Sequence, residues 1–277
     1  PVASMPDHDS YYDKLEEGDY ELRNNKEFVL EAVKDEGCCL EFASTDLQND
    51  REVVMAAIEQ EPHALQHASP ELKKDPEIVM AAIIKKGNAL KFADETLKDN
   101  RDIVMEAVKN DGSVIQLASP TLQADRDVAM VAARHDGDAL KYVDEALLGD
   151  KELVMVACRR NGYILQCAKE ELKNDIDVVK VAVDWDGRSL QYASEEMRAN
   201  PEIVLQAVKK NGCALEFATD DIKKDFDIVR TAIESNPTAY WQQEEFKDNH
   251  DMMAILRDAR VRYAEERNAF IDHGPCH

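Results

Sequence analysis

From Lys26 onward, apolar and polar positions recur with a period of 25 residues. The block from Arg51 to Asp75, REVVMAAIEQEPHALQHASPELKKD, shows the pattern. Its third, fourth, seventh and eighth positions (Val53, Val54, Ala57, Ile58) form the i, i+1, i+4, i+5 stripe of one buried helical face. Eight ungapped copies fill 26–225, and a ninth beginning at Phe226 decays after its first half. A fixed period of about 20–50 residues marks a stacked-repeat architecture.

The columns of the repeat predict where each helix starts and stops. Asp or Asn precedes every block (Asn25, Asp50, Asp75, Asn100, Asp125, Asp150, Asp175, Asn200, Asp225) and suits an N-cap, because its side-chain oxygen accepts the orphan N–H groups of the first turn. Pro76 and Pro201 follow the cap, where a missing N–H does no harm. Position 2 is acidic in all nine copies, matching the positive end of the helix dipole. Position 7 is alanine in all nine, which points to a helix–helix approach too close for a larger side chain. Position 12 is Gly in seven copies and Pro in two, so the first helix is expected over positions 1–11, ended by a left-handed glycine.

A second, shorter helix is expected around the leucine at position 15 and the alanine at position 18 (Leu90, Ala93; Leu215, Ala218). Position 19, mostly Ser, Thr or Asp, opens a last turn, expected to be 3₁₀, anchored by residues such as Leu47 and Leu72. One such block cannot bury its apolar face alone, so neighbours must stack. The expected fold is all-α: a right-handed α-solenoid of about nine 25-residue helix–turn–helix repeats with capping ends. With roughly 8–10 Å between packed helices, nine layers would span about 70–90 Å. Residues 1–25 are read as an N-terminal cap, whose run Tyr20–Asn25 looks like the tail of a preceding unit. Residues 26–237 are the tandem repeats and 238–277 a C-terminal capping helix and tail.

Charge narrows the partners. Lys plus Arg number 34 and Asp plus Glu 57, a net −23, which disfavours duplex nucleic acid and anionic membranes. No stretch approaches the ~20 apolar residues of a membrane span. The six cysteines form no CxxC pair, as expected of reduced thiols in a reducing intracellular compartment. That compartment is the cytoplasm, or an organelle interior such as the chloroplast if a transit peptide has been removed before Pro1.

The run at Ala193–Phe217, with its cap, alanine, glycine and leucine columns, resembles a tandem helical-repeat family known only as a domain of unknown function. That family occurs in algae, other protists and some intracellular bacteria. A weaker likeness is to leucine-rich variant repeats, which alternate α and 3₁₀ helices. Neither has catalytic residues to carry over; by analogy the resemblance implies a protein-binding scaffold.

Local motifs do not raise a sharper chemistry. Asp184-Trp185-Asp186-Gly187 looks like the opening of a calcium loop but lacks the closing Glu. His63 and His67 have i, i+4 spacing without the Glu of a zinc motif, and His67 occupies an aromatic column as a substituted core residue. The Met column at position 5 (Met55, Met80, Met105, Met130, Met155) reads as core filling, with a pliant binding strip as the alternative. No catalytic, cofactor-binding or metal-ligating residue is assigned.

Departures from the repeat point to a surface instead. Position 10 is polar except for Trp185, and position 13 varies freely. The candidate protein-binding residues are Trp185, Tyr163, Arg188, Asp138 and His63, with Tyr240 and Trp241 where the repeat decays. Cations at positions 9–10 (Lys85, Lys109, Arg134, Arg159, Arg160, Lys209, Lys210) suit helix C-termini and, as a ridge, an acidic partner. The expected function is a non-catalytic protein-binding scaffold or accessory subunit of a larger assembly, with protein partners, no cofactor, no nucleic acid and no membrane insertion. The alternatives are a nucleic-acid-binding helical repeat and an effector-type enzyme.

Overall fold

A computed structural model describes residues 10–18, 20–237, 239 and 249–272, and the side chains of the last helix as far as Val261. Among these residues every regular element is helical. The chain divides into two compact units, Pro1–His135 and Asp136–His277.

Each repeat begins with a ten-residue α-helix over positions 1–10, from Lys26–Asp35 to Phe226–Ser235. Position 11, expected inside the helix, is already extended, as at Glu61 (φ −133°) and Lys86 (φ −152°). All nine Asp or Asn side chains preceding these helices accept first-turn amides, Asp125 from Asp127 and Val128 at 2.9 and 3.1 Å for example. Each such cap stabilises its helix by roughly 1 kcal/mol.

The glycine at position 12 plays a different part from the one expected. No described residue has a positive φ, so it is not a left-handed terminator. Its missing side chain admits the next repeat instead. A Cβ on Gly37 would lie 2.6 Å from the carbonyl oxygen of Ala57, on Gly87 2.5 Å from that of Ala107, and on Gly137 2.6 Å from that of Ala157. The glycine of one repeat thus lies against the position-7 backbone carbonyl of the next, a close inter-repeat contact.

The second, shorter helix is present, and it is a six-residue 3₁₀ helix over positions 12–17, as in Gly37–Phe42 and Gly187–Tyr192. Gly37, Leu40 and Ala43, three residues apart, are all buried. With three residues per turn, that spacing lines one face of a 3₁₀ helix, whereas on an α-helix it would drift. The last turn is 3₁₀ in Leu72–Lys74, Leu97–Asp99, Glu145–Gly149 and Ile222–Lys224. In Thr45–Gln48, Pro120–Gln123, Glu170–Lys173 and Glu195–Arg198 it is a single α-turn.

In the first unit the α-helices from Lys26–Asp35 to Arg126–His135 pack each on the next, and the 3₁₀ helices from Gly37–Phe42 to Gly112–Leu117 stack beside them. In the second, Lys151–Arg160, Ile176–Trp185, Pro201–Lys210 and Phe226–Ser235 follow the same order, and His250–Asp272 covers the last. Positions 3, 4, 7 and 8 are sealed between layers except at Phe28 in the first repeat, which is half-buried: Val53, Val54, Ala57 and Ile58 have no exposed surface.

Polar contacts tie consecutive repeats. The position-19 amide donates to the position-23 carbonyl of the repeat before it, as in Ser44 to Arg23, Ser69 to Gln48 and Ser194 to Lys173, all 2.9 Å. Position-1 cations clamp the cap and the position-2 acid of the following helix. Lys26 reaches Asp50 and Glu52 at 2.7 and 2.9 Å, Arg101 reaches Asp125 and Asp127 at 2.8 and 2.9 Å, and Arg51 pairs likewise with Asp75 and Glu77. The described residues 10–18 and 20–25 behave as half a repeat. Leu15 is fully buried, and Arg23 caps the carbonyls of Leu15 and Glu16 just as Gln48 caps those of Leu40 and Glu41.

Candidate functional site

Position 11 ends the α-helix, and at Glu61, Asp111, Asp136, Asn161, Asp186 and Asn211 its side chain caps the 3₁₀ helix that follows, whereas Glu36 and Lys86 do not. Asp186 accepts the Arg188 amide at 2.8 Å, and Asn161 accepts that of Tyr163 at 3.0 Å. At several repeats this sets the position-13 side chain against a polar group of the neighbouring repeat, while Ser113 bonds Asp111 of its own. Asn161 donates to Asp138 at 2.9 Å, Tyr163 donates its hydroxyl to Asp186 at 2.6 Å, and Asn236 donates to Cys213 Sγ at 3.2 Å. In the first unit, His63 Nε2 lies 2.7 Å from Asn88 Oδ1 and its ring sits edge-on to Phe92. Much of the variable column is therefore spent on specific side-chain pairs between repeats along the 3₁₀ edge.

In the second unit this edge supports an aromatic group. Tyr163 stands edge-to-face with Trp185 (centroids 5.2 Å, 77°) and with Tyr192 (6.2 Å, 75°). Burial works against the Asp186 carboxylate, but hydrogen bonds from Tyr163, the Arg188 amide and Asn211 outweigh it and hold its pKa below the ordinary value. The hydrogen bond to Asp186, with burial, raises that of Tyr163. Tyr163 is thus held as a neutral phenol between a fixed anion and the indole. Asp186, a ligand in the calcium-loop reading, is committed to these donors.

Trp185 ends its helix with 44 % of its surface exposed. It borders a groove of about 660 Å³ lined by Arg159, Lys180, Val181, Asp184, Trp185 and Gln206, drawn from three consecutive repeats. A depression of about 360 Å³ adjoins it through Gln206 and is lined further by Glu202, Leu205, Lys209 and Lys210. Two rim cations are paired: Lys180 with Glu202 at 2.7 Å and Lys210 with Asp184 at 2.9 Å.

Of the sequence candidates, Trp185 and Tyr163 meet directly, and Arg188, exposed, adjoins them through Asp186. Asp138 is joined to Tyr163 through Asn161 and is also paired with Lys141 at 2.8 Å. His63 belongs to the other unit. Tyr240 and Trp241 lie outside the described residues. Asp186, Tyr192, Lys180 and Gln206 were not among the candidates. The available signal was register: stacking by one repeat sets position 13 of one block beside positions 10 and 11 of the next.

The Met column is half-buried at Met55, Met80, Met105 and Met155 and buried at Met130, and His67 is half-buried in its aromatic column. None of the described cysteines is joined in a disulfide; burial pushes the thiols of Cys39 and Cys158 up to about 12, so both are protonated at neutral pH. No helix among the described residues is long and apolar enough to cross a membrane.

Five consecutive stretches, 10–48, 50–98, 100–148, 150–198 and 200–243, match the model of a family described as "Domain of unknown function (DUF4116)". Each of the three central matches spans two 25-residue blocks, so the family's unit is a repeat pair. The first match begins at residue 10, where the half-repeat begins. No curated protein and no solved structure matches the chain.

Proposed function

The chain belongs to this family of helical repeats of unknown function, and from that premise we propose that it is a non-catalytic protein-binding scaffold or accessory subunit of a larger assembly. Within each unit we read the stack as a right-handed α-solenoid, with about nine repeats in the whole chain. The observation that carries the functional reading is Trp185. An indole at a column of polar residues is braced by Tyr163, itself fixed by Asp186, yet is left 44 % exposed beside a groove. Rigid aromatic anchors of this kind concentrate binding energy at protein interfaces. The buried thiols of Cys39 and Cys158, protonated and in no disulfide, support a reducing compartment, cytoplasm or organelle interior.

Trp185→Ala tests the reading. Tagged wild type and variant are purified from the natural source and their co-purifying proteins compared. A defined set of proteins should be lost with the variant, by an amount matching roughly 2 kcal/mol or more for an anchor residue, while the melting temperature holds. An unchanged set, or recovery abolished by nuclease, would contradict it.

A further inference from the structure

Trp185 does not stand alone on its face. Three consecutive helices of the second unit end side by side: Lys151–Arg160 on Arg159-Arg160, Ile176–Trp185 on Asp184-Trp185, and Pro201–Lys210 on Lys209-Lys210. The indole therefore has a basic helix end on either side. The carboxylates nearby are used: Asp184 by Lys210, Glu202 by Lys180, and Asp186 by Tyr163 and Asn211. Arg159, Arg160 and Lys209 are exposed and pair with no described carboxylate. In a chain of net charge −23, where position-1 cations are clamped by pairs of acids, unpaired cations on both sides of an exposed indole are a local inversion of charge.

We propose that the face formed by Arg159, Arg160, Trp185 and Lys209 docks an acidic peptide segment of a partner protein, with an apolar residue of the segment on Trp185 and carboxylates on the flanking cations. This rests on the scaffold reading and names the chemistry of its partner. Arginine suits the carboxylate end, since its planar fork takes two oxygens at once. Geometry sets the spacing of the motif. Packed helices lie about 8–10 Å apart, so each carboxylate sits about that far to either side of the apolar residue. An extended chain advances ~3.3 Å per residue, which puts the acids about three positions before and after it. The field of the remaining, acidic chain repels acidic segments from much of the surface, which favours docking on this basic ridge.

The test selects peptides from a random display library on the immobilised full chain, and measures the winners against wild type and the double variant Arg160→Glu/Lys209→Glu. The expected result is enrichment of Asp and Glu about three residues to each side of a Trp, Phe or Leu. Affinity should fall about tenfold or more in the double variant and weaken with added salt, while circular dichroism and melting stay those of wild type. A single variant, Arg159→Gln, serves as a check that remains informative if charge reversal unfolds the protein; it should weaken the same peptides. Enriched peptides that are neutral or basic, or equal affinity for wild type and Arg159→Gln, would overturn the proposal. So would displacement of the peptides by a thymidine oligonucleotide of equal charge, which would point to a general polyanion site. If Trp185→Ala loses the natural partner while selected peptides carry no acids, the scaffold reading stands and this one falls. If the partner is indifferent to Trp185, both fall.

Discussion

Ser189 carries the only hydroxyl in the fourteenth column of the repeat, where its counterparts include Ala64, Ala89, Ala139 and Ala214. It is fully buried and its Oγ has no hydrogen-bond partner among the described residues. A buried, unsatisfied hydroxyl costs about 1–3 kcal/mol, and alanine fits the same column without it. Ser189→Ala should therefore raise the melting temperature in a thermal scan; a drop would show that the hydroxyl is bonded. The glycine columns allow an opposite test. Gly87→Ala forces a Cβ to 2.5 Å from the Ala107 carbonyl oxygen and should destabilise by about 1–3 kcal/mol. Gly149→Ala meets only the flexible end of Lys169, at 3.2 Å, and should leave denaturant midpoints nearly unchanged. Equal effects at the two sites would mean that the inter-repeat contact is not what selects glycine.

Helix starts were legible in the sequence because caps are local. Asp50, Asp75 and their equivalents need only the amides two and three residues on, and the spacing of the stripe shows where the helix they cap must be. The 3₁₀ helix was less legible, because Leu40 and Ala43 also fit one turn of a short α-helix; the buried Gly37 completes the period of three only once the next repeat is in place. The acids at position 2 matched the helix dipole, but their pairing with a cation one repeat earlier needed the stack. That clamp has a pH signature. The hydrogen bond from Arg101 is the largest influence on Asp125, and with the amides of Val128 and Asp127 it holds the carboxyl below 3.8 against the effect of burial. Asp50, Asp75 and Asp175 are shifted the same way: burial opposes ionisation, and the cation and amide contacts overcome it. A depressed folded-state pKa stabilises the fold above the unfolded value and loses that stabilisation as pH falls through the folded one. Denaturant midpoints should accordingly hold from neutrality to about pH 5 and then drop, and Asp125→Asn should flatten part of the drop. An unchanged acid limb in that variant would remove Asp125 from the account.

Across the whole molecule, one block of 25 residues supplies both the regular scaffold and the irregular site. Trp185 stood out in the sequence because it broke a column. Tyr163 stood in the variable column and was a candidate too, but that it braces Trp185 was not legible, since the two meet only when consecutive repeats stack. The same holds for Asp138, whose variability is spent on a pair with Asn161. Everything thus depends on each repeat leaning on its predecessor, and amide hydrogen exchange on the intact chain reads that directly. The position-19 amides of Ser44, Ser69, Asp94, Ser119, Lys169, Ser194 and Thr219, each donated to the carbonyl of the repeat before, should be protected, recurring with the 25-residue period although they lie between helices. Exchange of these amides at the rate of open loops, while the α-helices stay protected, would contradict it.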